Sequence, residues 1–259
     1  MESNTTDLDT RIGTDAYAAK GESALSPSLR AARPASPPAY EMKFVLTPAQ
    51  ADEVVAWAGW RFALDPHGDP SLGGAYHTTT LYLDTSADDV RHRRGWHRRR
   101  KLRVRRYGDA GWVFVEKKAK RSGQVSKERS RVLLPELSRF AAGGSACPGA
   151  WFADVANLRG LGPSAVVSYE RVAFLGPSAD GPIRLTLDRN LAFARASDWS
   201  LAGDGPALPF LVGRALLELK YQTTLPMAFK ELIAEMRLTP RPASKYRLGR
   251  AALEGGIDA

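Results

Sequence analysis

The chain has 259 residues, enough for one large domain or two small ones with a sizeable apolar core, and its 44% hydrophobic and 25% charged residues are ordinary for a globular protein. Lys and Arg number 37 against 28 Asp and Glu, and the net charge of +9 favours a polyanionic partner: nucleic acid, an anionic membrane or a phosphorylated molecule. The single cysteine, Cys147, excludes an internal disulfide and a cysteine-based zinc site, the four histidines show no metal-ligand spacing, and no apolar run approaches the ~18 residues that span a bilayer.

In chain order, residues 1–39 are rich in Ser, Thr, Ala, Pro and Asp, lack hydrophobic periodicity and close on Pro34, Pro37 and Pro38, which predicts a disordered arm. Acidic residues stand where a signal peptide would carry a basic and then an apolar stretch, so a cytoplasmic protein is expected. One domain is predicted over 40–250, followed by a tail over 251–259. A strand is expected at 41–46, then a helix at 48–58, opened by Thr47 as N-cap and Pro48 at the first helical position. Strands follow at 77–84, 98–107, 112–118 and 126–134, with turn signals at Gly108-Asp109 and Ser122-Gly123. A helix at 148–159 precedes strands at 166–173 and 183–188, separated by Gly176-Pro177 and Gly181-Pro182. A strand at 215–221 and a helix at 226–237 complete the order. Trp57, Trp60 and Trp151 read as packing residues of the outer helices. Eight strands with few helices between consecutive ones give a mainly antiparallel β fold with outer helices, α+β in content and closed as an eight-stranded barrel.

The charged residues sit in register on these strands. Side chains alternate between faces along a strand, and Arg99, Lys101, Arg103 and Arg105 share one face while Leu102 and Val104 share the other. Glu41 and Lys43 oppose Met42, Phe44 and Leu46; Glu116 and Lys118 oppose Val113 and Val115; Lys127, Arg129 and Arg131 align; Arg184, Thr186 and Asp188 oppose Ile183, Leu185 and Leu187; Glu218 and Lys220 oppose Leu217 and Leu219. For any single strand a solvated outer face is the ordinary explanation. A solvent face, however, normally mixes both signs, and a row of cations raises the energy of the folded state unless an anion lies against it. In a closed barrel the same faces can line a lumen. Arg forks onto two phosphate oxygens and Lys supplies a mobile charge, so cations on several walls suit a phosphate chain. Phosphoanhydride chemistry also calls for a divalent cation, Mn2+ or Mg2+, held by carboxylates: Glu218 first, then Glu41, Glu116 and Asp188.

The ordered set Glu41-x-Lys43, Tyr82-Leu83-Asp84-Thr85, Arg99-x-Lys101-x-Arg103-x-Arg105, Glu116-x-Lys118, Lys127-x-Arg129, Tyr169-x-Arg171, Arg184-x-Thr186-x-Asp188, Glu218-x-Lys220 and Ser244-Lys245-Tyr246 closely resembles the VTC (vacuolar transporter chaperone) domain of the triphosphate tunnel metalloenzymes, a group that includes the CYTH hydrolases. The resemblance runs from about Tyr40 to Arg250. It implies an eight-stranded triphosphate tunnel barrel and a polyphosphate polymerase that moves the γ-phosphoryl group of ATP onto a growing chain with a divalent metal, usually Mn2+. It also implies that Lys43, Arg103, Arg105, Lys118, Lys127, Arg129, Arg171, Arg184, Lys220 and Lys245 contact phosphates, that Arg99 and Lys101 join them in binding the nucleotide, and that Glu218 binds the metal. Lys245, beyond the last strand, would close the tunnel. CYTH hydrolases open with Glu-x-Glu-x-Lys, whereas this chain has Ala39-x-Glu41-x-Lys43. Loss of that carboxylate disfavours water activation and favours the polymerase over a triphosphatase in the same tunnel. Product translocation would require a membrane-protein partner.

A binding protein is the alternative from another class. Residues 91–106 hold ten Arg or Lys and no acid, with Trp96 available for stacking, a pattern compatible with a nucleic-acid patch; a non-catalytic polyphosphate sensor would carry the same binding residues as the enzyme.

Overall fold

The computed structural model describes residues 35–141 and 148–255. Ten strands are present: β1 (Ala35–Leu46), β2 (Ala63–Leu64), β3 (Ala75–Asp84), β4 (Arg100–Tyr107), β5 (Trp112–Arg121), β6 (Gln124–Leu133), β7 (Gly162–Gly176), β8 (Ile183–Arg195), β9 (Leu208–Pro209) and β10 (Ala215–Tyr221). Six helices accompany them: α1 (Pro48–Gly59), α2 (Asp89–His92), α3 (Ser138–Ala141), α4 (Ala150–Leu158), α5 (Met227–Glu235) and α6 (Lys245–Leu253). The eight long strands follow one another around a ring in the order β7-β3-β4-β5-β6-β1-β10-β8, and β8 pairs back onto β7 to close it. Every pairing is antiparallel. The two-residue strands β2 and β9 extend the sheet at β7 and β8.

The apolar core lies outside this ring. Phe44, Leu46, Leu185, Leu187, Leu217 and Leu219 pack under α1 and α5 against Val54, Phe229 and Leu232. On the other flank Leu81, Leu83, Leu102, Val104, Val113 and Val115 pack with Phe152 of α4 and Tyr246 of α6. The expected apolar faces are therefore buried beneath helices, and the alternate residues turn inward. Local sequence explains the first helix well. The Thr47 hydroxyl accepts from the Gln50 amide at 3.2 Å, the Gln50 side chain accepts from the Thr47 amide at 3.1 Å, and Pro48 needs no donor.

Several expectations change. β1 begins at Ala35, so residues 35–39 of the expected arm are strand, pairing with β6; residues 1–34 lie outside the described residues. The expected tail begins inside α6, which continues to Leu253, and its last residues, 256–259, are outside the described set, as is Cys147. Trp57 and Trp151 are buried in the outer layers, but Trp60, at the C-terminal cap of α1, is 89% exposed and packs nothing. Among the described residues no helix is long and apolar enough to cross a membrane.

Candidate functional site

β4 supplies Lys101, Arg103 and Arg105 to the lumen, with Leu102 and Val104 fully buried behind them. Arg99 does not join this row. Gly95–Arg99 coils as a 3-10 helix ahead of the strand, which begins only at Arg100, and Arg99 is exposed. Cross-strand register carries the charge around the wall: Arg103 stands opposite Glu116, Glu116 opposite Arg129, and Lys118 between Lys101 and Lys127. On the other side Lys43 faces Glu218, Glu41 faces Lys220, and Lys220 faces Arg184. Arg171 of β7 stands opposite Asp188 of β8.

The carboxylates are held by this excess of cations. Arg103 Nε donates to Glu116 Oε2 at 2.6 Å, and Lys127 Nζ is 3.6 Å from Glu116 Oε1. Lys118 donates to both Glu41 oxygens at 2.9 and 2.7 Å, and Lys43 lies 2.9 Å from Glu218. Arg171 forks onto Asp188 at 2.7 and 2.9 Å while Lys245 reaches the same carboxylate at 2.6 Å. Burial would raise the Glu116 and Glu218 carboxyls, but neighbouring cations outweigh it: Arg103, Lys127 and Arg105 for Glu116, and Lys43, Lys118 and Lys245 for Glu218. Both are held well below the usual carboxylate range. The cations repel one another in turn. Burial, with Arg247, Lys43, Lys118 and Arg103 nearby, pushes Lys101 well down, and its ammonium donates to Ser244 Oγ at 2.6 Å. Even Tyr82, which burial alone would raise, is lowered by Arg103, Arg105 and Lys245.

The four carboxylates expected as metal ligands do not form one site. Among the described residues no three Asp, Glu, His or Cys side chains converge. Each of the four is held by cations: Glu116 by Arg103 and Lys127, Asp188 by Arg171 and Lys245, Glu41 by Lys118 and Glu218 by Lys43. Glu41 and Glu218 remain close enough for their charges to oppose each other, on the adjacent strands β1 and β10. Two carboxylates with phosphate oxygens as co-ligands are a donor set that Mg2+ or Mn2+ accepts, so this pair fits the implied ion.

Lys245 is positioned by contacts that two of the sequence motifs supply. Tyr246 Oη donates to Asp84 Oδ2 at 2.6 Å and shares a hydrogen bond with Ser164 at 2.9 Å, while its ring lies 5.4 Å from that of Tyr82. Asp84 also accepts from the Val90 and Arg91 amides, so Tyr82-Leu83-Asp84-Thr85 serves as the dock for α6. Sequence reasoning missed Asp65, which follows β2 and pairs with Arg184 at 2.5 Å; no periodicity marks it. It also missed Tyr76, Thr78, Thr80 and Tyr169, whose polar groups face inward; Arg105 donates to Thr80 at 3.1 Å. Alternation in Ala75–Asp84 carried that signal. Buried inward-facing groups, the Thr78, Tyr169 and Thr186 hydroxyls and Arg184 Nε, lack hydrogen-bond partners among the described residues, a cost that a polar occupant of the lumen removes.

The sequence profile of the VTC domain matches residues 38–254. The chain belongs to the VTC domain family. That match covers most of the chain and agrees with the resemblance carried by the charged strands. No curated protein sequence matches the chain. Among solved structures, an adenylate cyclase candidate from Bacillus halodurans is 12% identical with a TM-score of 0.49, covering 80% of this chain and 95% of its own. HpAC1 from Hippeastrum, an adenylyl cyclase candidate described as having a dominant triphosphatase activity, is 14% identical with a TM-score of 0.47, covering 83% and 96%. PH1012 from Pyrococcus horikoshii OT3 is 14% identical with a TM-score of 0.44, covering 81% and 98%. Likeness at this level adds nothing to the barrel seen directly, and the activity described for HpAC1 is that protein's own.

The long basic run reads differently in three dimensions. The guanidinium groups of Arg100 and Arg159 lie over Trp96, 5.0 and 4.8 Å from its ring centre, so the ring is already engaged by cations of the fold. Arg91 pairs with Glu254 and Arg94 with Asp89. The nucleic-acid patch is thereby reduced to a few exposed side chains around Arg93, Arg98 and Arg99.

Proposed function

We propose that this VTC domain is a polyphosphate polymerase: it transfers the γ-phosphoryl group of ATP to the end of a polyphosphate chain lying in the barrel. The observation that carries the reading is the lumen wall itself, on which Lys and Arg from β1, β4, β5, β6, β7, β8 and β10 outnumber the Glu41, Glu116, Asp188 and Glu218 carboxylates. A terminal oxygen of the chain attacks the γ-phosphorus, the bond from that phosphorus to the β,γ-bridging oxygen breaks, and ADP leaves with the electron pair. The attacking oxygen is already ionised, so no general base is required. Arg103 and Arg105 present guanidinium donors to equatorial oxygens, and Arg171, whose fork lies on Asp188, adds charge along the chain with Lys43, Lys118, Lys127, Lys220 and Lys245. Arg129 and Arg184 extend the cationic wall. Glu218, with Glu41 beside it, would hold Mn2+ or Mg2+, which when bound offsets charge between phosphate oxygens.

Ala39 supports transfer over hydrolysis. It is buried on the inward face of β1, opposite Val125, where hydrolases of this superfamily place a further glutamate. An apolar pair at that place offers nothing to orient a water. ATP and polyphosphate are the partners this reading requires, with a membrane protein to receive the product.

Purified protein incubated with ATP and Mn2+, resolved by gel and phosphorus NMR, tests the proposal. Long polyphosphate with released ADP is expected, and Glu218→Gln should lower the rate by on the order of 100-fold while leaving tripolyphosphate binding in place. Orthophosphate as sole product would mean hydrolysis, and tight binding without turnover a sensor.

A further inference from the structure

Outside the tunnel a second concavity, of about 250 Å3, opens where β1 runs into α1. Arg214, from the turn before β10, and Arg237 and Arg241, from the segment after α5, line it together with Leu46, Gln50 and Leu238. No carboxylate is among the lining residues. Nor does any of the three guanidinium groups have a hydrogen bond or ion pair among the described residues. Some arginines elsewhere do, Arg91 with Glu254 and Arg189 with Asp52, while the exposed Arg93, Arg98 and Arg99 do not; what sets the three apart is that they line one hollow. Three separate stretches of chain thus bring like charge into one hollow. Arg237 does so with its backbone at φ 48, in the left-handed region that a residue with a Cβ seldom adopts. All three side chains are exposed, so water screens their mutual repulsion, and their guanidinium forks, which match phosphate oxygens, are open to an anion from solvent. The hollow is smaller than the ~300–1,000 Å3 of ordinary ligand pockets, so its occupant is compact. It adjoins the tunnel: the Arg241 amide donates to the Lys43 carbonyl at 2.8 Å, and Lys43 faces inward on the same strand.

We propose that this hollow is a second oligophosphate site, distinct from the lumen, held by Arg214, Arg237 and Arg241. The site takes a compact anion carrying two or more phosphates, either the end of a chain emerging from the tunnel or a free oligophosphate. It holds whether the tunnel transfers or hydrolyses phosphate.

Calorimetric titration with tripolyphosphate tests it. Wild-type protein should bind at two sites and R214Q/R237Q/R241Q at one, with an unchanged melting temperature because those side chains have no protein partners. The R103E/R105E variant should keep the outer site alone, and combining both sets should weaken what remains by roughly tenfold or more. Unchanged stoichiometry in the triple variant overturns the proposal, and that variant decides alone where R103E/R105E is unstable. Failure of the tunnel reading looks different: R103E/R105E would then bind as wild type does. A tenfold loss of affinity for long polyphosphate in the triple variant identifies the occupant as the emerging chain; a loss confined to tripolyphosphate identifies a free oligophosphate.

Discussion

Lys127 shows how a single side chain reports on the lumen. Burial pushes its ammonium down to about 7; Glu116 pulls the other way, and Arg129 and Lys220 add to the lowering. A phosphate chain laid against it favours the charged form, so binding above pH 7 takes up a proton. Tripolyphosphate affinity should therefore fall as pH rises from 7 to 8.5, by up to about tenfold per pH unit for each proton taken up. Titration in two buffers of different ionisation enthalpy measures that uptake. Lys127→Arg keeps its charge throughout and should flatten the profile, leaving the ligand's own ionisation and the contribution of Lys101; identical profiles for the two proteins would remove Lys127 from the ligand's surroundings. Residues of this kind were legible from alternation alone. Arg99 and Asp65 were not: the first is the last residue of the Gly95–Arg99 coil, immediately before its strand, and the second acts from a loop whose partner, Arg184, is 119 positions away.

At the scale of elements, most of the long strands declared themselves because they carry two periodic signals at once, apolar on one face and charged on the other, with Tyr and Thr taking the place of charge on β3. The last helix carried neither. On α6 the fully buried positions are Lys245, Tyr246, Gly249 and Arg250, while its apolar residues Leu248, Ala252 and Leu253 pack against the core only partly buried. What seats α6 is close approach. A Cβ on Gly249 would fall 2.2 Å from the Phe193 ring, inside the core. Gly249→Ala should consequently lift the helix, costing about 1–3 kcal/mol of stability and drawing Lys245 away from the lumen. A roughly tenfold loss of tripolyphosphate affinity is expected. Lys245→Met should add little further loss in the Gly249→Ala background, because both changes withdraw the same charge. Fully additive losses would separate the seating of α6 from the action of Lys245.

Across the whole molecule, self-repulsion inside the barrel makes the ligand part of the stability. An anion that binds only the folded chain raises its melting temperature by mass action, about 2.7 kcal/mol at a hundred times its dissociation constant. Tripolyphosphate should give a dose-dependent rise, and added salt should shrink it by screening the cations near the tunnel ends. No rise at millimolar ligand would argue against an anion-binding lumen. Closure of the ring, and the placing of both apolar cores outside it, could be anticipated only as a consequence of eight strands needing partners. The pairing of β8 back onto β7 came from the structure.

Because the apolar cores lie outside the ring, the wall holds two interleaved scripts. One set of alternate positions, Phe44, Leu102, Val115, Leu185 and Leu217 among them, writes the packing; the intervening set, Lys43, Arg103, Glu116, Arg184 and Glu218, writes the chemistry. Neither set touches the other's environment across the thickness of a single sheet. A lineage could redraft the inner script, changing which anion is held or what is done to it, without disturbing the outer one. Descendants of one barrel can therefore diverge in reaction while remaining superimposable in shape.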